Sequence, residues 1–234
     1  MSKNIKLASI ALQPSSDKLY EILKDDLLCL KLKPGQMISE NDISKLYNVS
    51  RTPLRSVFSR LKNDKLIEVY PQRGSFVSLL DLDYIKNIIY MRYVLENDIL
   101  SSIIDTIDDD FLAKIEVNLH KQKLIIQGPV NIKDFFNTDS QFHEIFYEFA
   151  GKKGLWSIIQ DFQVSYTRFR MLDMVVTGRY DKLYKEHVML YEILKNRRKA
   201  ELAGEIKNHL FGNVERSKEY IINSKYTKYF KVQS

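Results

Sequence analysis

The chain has 234 residues and a formal net charge of +6, with 44% hydrophobic and 28% charged residues. These globular values argue against intrinsic disorder and leave room for one or two compact domains. A single cysteine, Cys29, excludes an internal disulfide scaffold and favours a reducing compartment. Residues 1–12 form too short and broken an apolar run for a signal peptide, and no stretch approaches the roughly 18 apolar residues of a membrane helix. We therefore expect a cytoplasmic protein without a membrane partner.

The positive charge is unevenly distributed along the chain. Residues 1–78 carry 13 Lys and Arg against 8 Asp and Glu, whereas residues 79–216 carry 19 against 21. The last segment, 217–234, adds 4 Lys against one Glu. This distribution predicts a basic domain followed by a near-neutral one. Uneven surface charge on an undivided chain is the alternative.

The basic domain, residues 1–78, begins with a flexible arm at 1–14 and continues into two predicted helices. Apolar residues recur at helical spacing from Leu19 to Leu30, and the first helix ends before the breaker at 33–35. A second helix begins at Ser39, which has a capping-box-like spacing to Asp42.

A third helix begins with Ser50 as its N-cap and Pro53 in its first turn, where a missing N–H costs little. One face of this helix is apolar, and the opposite face carries cations and hydroxyls: Arg51, Thr52, Arg55, Ser59 and Arg60. Such a helix fits the DNA major groove, where guanidinium groups meet phosphate or the O6 and N7 of guanine. Taken alone, the cationic face is equally compatible with an ordinary solvent-exposed helix.

Beyond Asp64 the hydrophobic period changes from helical spacing to alternation. Residues 66–70 and 75–77 alternate around a turn at 71–74 that contains Arg73. This predicts a β-hairpin with a basic tip. Together with the preceding helices, it is typical of a winged helix-turn-helix.

Four segments of the basic domain resemble the DNA-binding domain of the GntR family of bacterial transcription regulators: Leu32–Gly35, Ser39–Ile43, Val49–Arg55 and Gly74–Val77. The resemblance spans residues 19–77, with Asn41 at a position where many members carry Arg. It implies a homodimer on double-stranded operator DNA, usually as a repressor. The residues that it places on DNA are Arg51, Thr52, Arg55, Arg73 and Gly74.

The rest of the chain predicts an all-α antiparallel bundle at residues 84–222, after a hinge at 79–83 and before a basic C-terminal tail at 223–234. The fold class is therefore mainly α. The segment 175–180 is predicted to be a loop. The predicted helices are Tyr84–Thr106, Asp109–Gln127, Ile132–Ala150, Gly154–Leu172, Lys182–Lys195 and Lys199–Ile222.

Three histidines and one aspartate stand at positions that could form a metal site in this bundle. Asp139 and His143 are four residues apart and share one helix face, while His187 and His209 lie on two later helices. If these helices converge, one carboxylate and three imidazoles meet, a donor set that suits a divalent transition metal such as Zn, Ni or Mn. A single His on such a face is more often a hydrogen-bonded core residue. His120 has no partner at ligand spacing and is predicted to lie on the surface.

Residues 84–220 resemble the FCD domain, the helical effector domain of the FadR-type branch of the GntR family. The resemblance implies that Asp139, His143, His187 and His209 hold a metal ion, and that a small carboxylate metabolite is the effector. It also implies that Arg92 contacts the effector carboxylate. An i,i+4 salt bridge between Arg92 and Glu96 is the alternative.

The resulting hypothesis is a non-enzymatic DNA-binding regulator whose DNA affinity is controlled by an organic acid at or near a metal ion. A metal-dependent hydrolase is a rival, since an Asp/His site can activate water. No further Glu or His stands at an interpretable spacing for a general base. The third possibility is a regulator with a purely structural metal.

Overall fold

The computed structural model describes residues 14–222 and 225–232, so the predicted arm lies outside them apart from Pro14. The mainly α fold class is confirmed. In chain order the elements are α1 (Ser16–Leu28), β1 (Met37–Ile38), α2 (Glu40–Tyr47), α3 (Arg51–Asn63), β2 (Ile67–Tyr70), β3 (Gly74–Val77), α4 (Leu82–Ile103), α5 (Asp109–Gln127), α6 (Ile132–Phe149), α7 (Lys153–Phe162), α8 (Val164–Thr177), α9 (Tyr180–Lys195), α10 (Lys199–Ile222) and a 3-10 helix (Thr227–Tyr229).

The N-terminal part is a three-helix unit with a small antiparallel sheet in the order β1-β3-β2. Its β2–β3 hairpin pairs Ile67 with Val77 and Tyr70 with Gly74, as a wing requires. The apolar stripe of α3 closes the core of this unit, which contains Leu19, Leu23, Leu27, Ile43, Leu54, Val57, Phe58 and Leu61.

The helix starts follow local sequence signals with one difference. The Ser39 hydroxyl accepts a hydrogen bond from the Asp42 N–H at 3.0 Å, so the predicted cap of α2 forms. Ser50 precedes α3 in an extended conformation but makes no capping hydrogen bond. Pro53 lies in the first turn of α3, where its missing N–H leaves no helical hydrogen bond unmade.

The C-terminal part, α4 to α10, buries one large apolar core, as expected of a helical bundle. The single helix predicted for residues 154–172 is wrong, because the chain turns at Gln163 and separates α7 from α8. No Gly or Pro marks that turn, and Gln163 is itself buried. The loop predicted at 175–180 is also largely wrong, since α8 continues to Thr177. Gly178, with φ of 59°, ends α8 in the left-handed conformation.

The two parts meet at the segment predicted to be a hinge. Leu80 is fully buried, and its N–H donates to the Tyr229 carbonyl at 2.8 Å. Lys231 lies 3.4 Å from Asp81, which caps α4. The described C-terminal residues therefore pack directly beside this segment.

Helices α1 and α8 also pack against each other across the junction. Val164 at the start of α8 contacts the N-terminal core, and Lys133 on α6 pairs with Asp25 on α1 at 2.7 Å. Across the described ranges, no helix is both long and apolar enough to cross a bilayer.

Candidate metal centre and nucleic-acid interface

Four predicted ligand residues come together in the core of the bundle. Asp139 and His143 lie on α6, His187 on α9 and His209 on α10. Each offers one ligand atom, and these four atoms all lie within 4.8 Å of one another. All four side chains are buried. The four-residue spacing on α6 thus directs two donors towards His187 of α9 and His209 of α10.

Each of the three imidazoles is oriented by a hydrogen bond from its Nδ1 to an acceptor outside the cluster. The acceptors are Glu96 Oε2 for His143 at 2.8 Å, Gln122 Oε1 for His187 at 2.8 Å, and Glu186 Oε2 for His209 at 3.0 Å. Because a carboxylate or amide oxygen accepts, each Nδ1 carries the hydrogen, and in the neutral imidazole Nε2 then keeps a free lone pair. Metal-bound histidines in proteins are commonly held in this way.

The Nε2 atoms point towards one another. His209 Nε2 and His143 Nε2 are 3.2 Å apart. His187 Nε2 lies 3.4 Å from Asp139 Oδ1 and makes no hydrogen bond with a described residue. Two facing lone pairs repel at such a distance, and a shared cation removes that repulsion. The donor set therefore fits a metal ion.

Burial and charge favour the protonation states that metal binding needs. Burial lowers the pKa of His143 to about 4 and that of His187 well below its usual value. Burial alone would raise the pKa of Asp139, but the adjacent Arg170 outweighs it and holds that pKa far below the usual range. A neutral imidazole at His143 and at His187 and an ionised carboxylate at Asp139 are the forms that bind a metal ion.

Arg170 is the strongest partner of the candidate ligand Asp139, and it is not among the residues predicted from the sequence. Its guanidinium forms a bidentate pair with both carboxylate oxygens, with Nη2 to Oδ1 at 2.7 Å. Arg170 is buried on α8. Arginines among the apolar residues of α8 were the available signal, since buried Arg is rare without a partner.

Arg92, the predicted effector contact, forms the i,i+4 ion pair with Glu96. Its Nε donates to Glu96 Oε1 at 2.9 Å, and both side chains are buried. Glu96 also accepts from His143, and these two partners together lower its pKa to about 2 against the effect of burial. The guanidinium of Arg92 lies 5.6 Å from the Trp156 ring and 5.4 Å from the Tyr166 ring. Arg92 therefore belongs to the surroundings of the candidate metal centre.

The predicted DNA-contacting residues lie at the start of α3 and at the hairpin tip. All five are exposed: Arg51, Thr52, Arg55, Arg73 and Gly74. The Arg55 side chain is 84% exposed and lies 4.0 Å from Glu40. Gly74 has φ of 101°, which favours glycine at the tip.

The structure also places two further side chains that the sequence singles out, Arg60 and His120. Arg60, which the sequence places on the cationic face of α3, pairs with Asp17 at 2.6 Å and lies 3.8 Å above the Tyr20 ring. It therefore fastens α3 to α1. His120 is exposed, as predicted.

Comparisons with known proteins agree with this architecture. The family described as "Bacterial regulatory proteins, gntR family" matches residues 15–77, and the FCD domain matches residues 87–212. The chain is 28% identical over 185 residues to the HTH-type transcriptional repressor RspR of Escherichia coli K12, covering 79% of this chain and 81% of that protein. It is 23% identical over 208 residues to the HTH-type transcriptional regulator YdhC of Bacillus subtilis 168, covering 89% and 93%.

Two solved structures show the same fold. E. coli McbR/YncC has a TM-score of 0.67 at 17% identity, with 87% of this chain and 97% of that chain covered. A putative transcriptional regulator GntR from Rhodococcus sp. RHA1 has a TM-score of 0.69 at 18% identity, with 86% and 96% covered. The family and the names of the relatives indicate a regulator and not an enzyme. This chain belongs to the gntR family of bacterial regulatory proteins, carries an FCD domain, and is a DNA-binding transcription regulator.

Proposed function

We propose that this regulator is a homodimeric repressor that binds a divalent transition metal and a small carboxylate effector in its helical domain. The observation that carries the proposal is the convergence of three imidazole Nε2 atoms and one carboxylate oxygen. Every Nδ1 in that cluster is already engaged with an outer acceptor. A hydrogen-bonded core of polar residues has no need of three unprotonated nitrogens facing one another.

In this proposal Asp139, His143, His187 and His209 hold the ion. Nitrogen and oxygen donors without thiolate leave Zn, Ni and Mn as candidates. When bound, the ion supplies a Lewis-acidic positive charge to which a carboxylate can bind. Glu96, Gln122 and Glu186 accept hydrogen bonds from the three Nδ1 atoms and so keep Nε2 available as the metal ligand.

Arg92 is proposed to contact the effector carboxylate. It supplies a cation beside the cluster, and the Trp156 and Tyr166 rings flank it at 5.6 and 5.4 Å. Its pairing with Glu96 means that an effector must compete with that carboxylate or share the guanidinium with it. A small anion that accepts strong hydrogen bonds from a guanidinium, such as an organic acid, fits this requirement.

The DNA half of the proposal places α3 in the major groove and the hairpin tip against the backbone. The exposed guanidiniums of Arg51, Arg55 and Arg73 supply the contacts. A homodimer would present two such surfaces to related half-sites. The relative RspR is named a repressor, which supports the same sign of regulation here.

The metal site is tested by elemental analysis of protein purified without chelator and then reconstituted with Zn, Ni or Mn. We expect about one ion per chain, and loss of that ion in a His187→Ala, His209→Ala double variant. The exposed His120→Ala is the matched control and should retain the ion. No ion after reconstitution, or equal retention in the double variant, contradicts the site.

The DNA surface is tested with an oligonucleotide selected by the wild-type protein from a random duplex pool. An Arg51→Ala, Arg55→Ala variant should bind it at least about tenfold more weakly, with a shallower salt dependence. The control removes two exposed cations from the bundle, Lys182→Ala and Lys123→Ala. Equal binding by the first variant would rule out α3 as the recognition helix.

The effector is sought by thermal shift of the metal-loaded protein with a panel of small carboxylic acids. Stabilisation by one acid that also changes DNA affinity supports the sensor. Firm metal retention with no response to any acid would favour a purely structural metal.

A further inference from the structure

We propose that Arg168 is a positioning residue that connects the metal centre to the DNA-binding domain through α8. The inference rests on the proposed metal site, because its input is the occupancy of that site. The connection has two ends: Arg170 holds Asp139 at one, and Arg168 holds the base of the wing at the other.

Arg168 is fully buried and hydrogen-bonds across the junction between the two domains. Its Nη2 donates to the main-chain carbonyl of Ser78 at 2.7 Å. Its Nε and Nη1 make no hydrogen bond to any residue that the structure describes. Burial alone lowers the pKa of Arg168 to about 10, with no carboxylate to offset it. Such a cation is costly to bury, so packing does not explain it.

Ser78 is part of the wing's foundation. It directly follows β3, and its N–H donates to the Leu66 carbonyl at 3.0 Å, just before β2. The Ser78 peptide is thus fixed to both sides of the hairpin base. A displacement of Arg168 acts on the orientation of the wing, and this path is separate from the covalent connection at 79–83.

Arg170 lies two residues further along the same helix. At roughly 100° per residue, the two arginines project about 200° apart, on opposite sides of α8. The stretch between Tyr166 and Met174 is buried throughout, so α8 is held by packing along that length. A displacement of α8 at Arg170 therefore also displaces Arg168, because no loosely packed segment lies between them.

Metal occupancy changes the strength of the ion pair between Arg170 and Asp139. The guanidinium donates hydrogen bonds to both carboxylate oxygens of Asp139, and one of these oxygens belongs to the candidate ligand set. A dication shares that carboxylate charge and weakens the hold of Arg170. The distance between α6 and α8 is set in part by this bidentate pair, so α8 responds to loading of the site.

The test is hydrogen exchange by mass spectrometry on the full chain, chelated and then loaded with Zn²⁺, with metal content measured in parallel. In the wild type, loading should change exchange in peptides spanning residues 74–81 by about fivefold or more, the lower end of usual allosteric coupling. Arg168→Met should bind Zn²⁺ equally well but show no such change. The control Arg197→Met removes an arginine that also donates to backbone carbonyls, far from the wing, and should respond like the wild type.

Two results overturn the inference while leaving the metal site intact: an unchanged 74–81 segment in Zn²⁺-loaded wild type, or an undiminished response in Arg168→Met. If Arg168→Met does not fold, Arg168→Lys takes its place under the same criteria, because lysine lacks the guanidinium fork. Failure of the wild type to bind Zn²⁺, Ni²⁺ or Mn²⁺ refutes the proposed function and this inference together.

Discussion

Removing the carboxylate of Asp139 should destabilise the metal-free protein strongly, apart from any effect on metal binding. In Asp139→Ala the Arg170 guanidinium stays buried and loses both hydrogen bonds of its bidentate pair. Leaving one member of a buried ion pair without its partner costs about 3–5 kcal/mol. Removing both members, as in Asp139→Ala with Arg170→Met, should cost much less, because neither charge of the pair is then left buried without the other.

The assay is urea unfolding in excess chelator, followed by circular dichroism and by the fluorescence of the single tryptophan. That residue, Trp156, is buried beside His143, so its emission reports on the site itself. The exposed Asp161→Ala is the control and should change the free energy of unfolding by no more than about 0.5 kcal/mol. A loss below about 1 kcal/mol in Asp139→Ala, or a double variant as unstable as the single one, would refute the reasoning.

Three further outcomes are expected. Gly74→Ala should weaken binding to the selected duplex, because φ of 101° strains a side-chain-bearing residue by on the order of 1 kcal/mol; unchanged DNA affinity would show that the tip conformation is irrelevant. Metal-free protein should lose stability in urea as the pH falls from about 6.5 to 4, by on the order of 3 kcal/mol, because the unfolded chain protonates His143 while burial keeps it neutral when folded; a flat profile there would contradict this. Glu186→Ala should lower metal affinity by about 10–100-fold in calorimetric titration, since His209 loses the acceptor of its Nδ1; an unaltered constant would show that this hydrogen bond does not orient the ligand.

Much of the DNA-binding domain could be predicted from short-range patterns. The cap at Ser39, the Pro53 turn and the change to alternation after Asp64 each depend on neighbouring residues only. Arg60 shows the limit of such patterns. Its position on the cationic face of α3 can be predicted from the sequence. Its ion pair with Asp17 cannot, because that pair depends on the packing of α3 on α1.

The helices of the bundle were predicted less completely, and the two wrong predictions have a common cause. The turn at Gln163 carries no Gly or Pro, and the helix that follows extends into the predicted loop. Tertiary burial decides both features. Local propensity is a weak prior when a helix is enclosed on all sides, as α8 is between Tyr166 and Met174.

The sequence by itself determined the four candidate ligands, the cationic face of α3 and the division of charge along the chain. Only the tertiary structure decided how the ligands are held, because their acceptors Glu96 and Gln122 lie 47 and 65 residues away from the histidines they orient. The same holds for Arg168, whose role depends on a carbonyl 90 residues away. Residue type and spacing reveal what a side chain can bind. Which partner it meets is set by the packing of distant helices, and that depends on the whole chain at once.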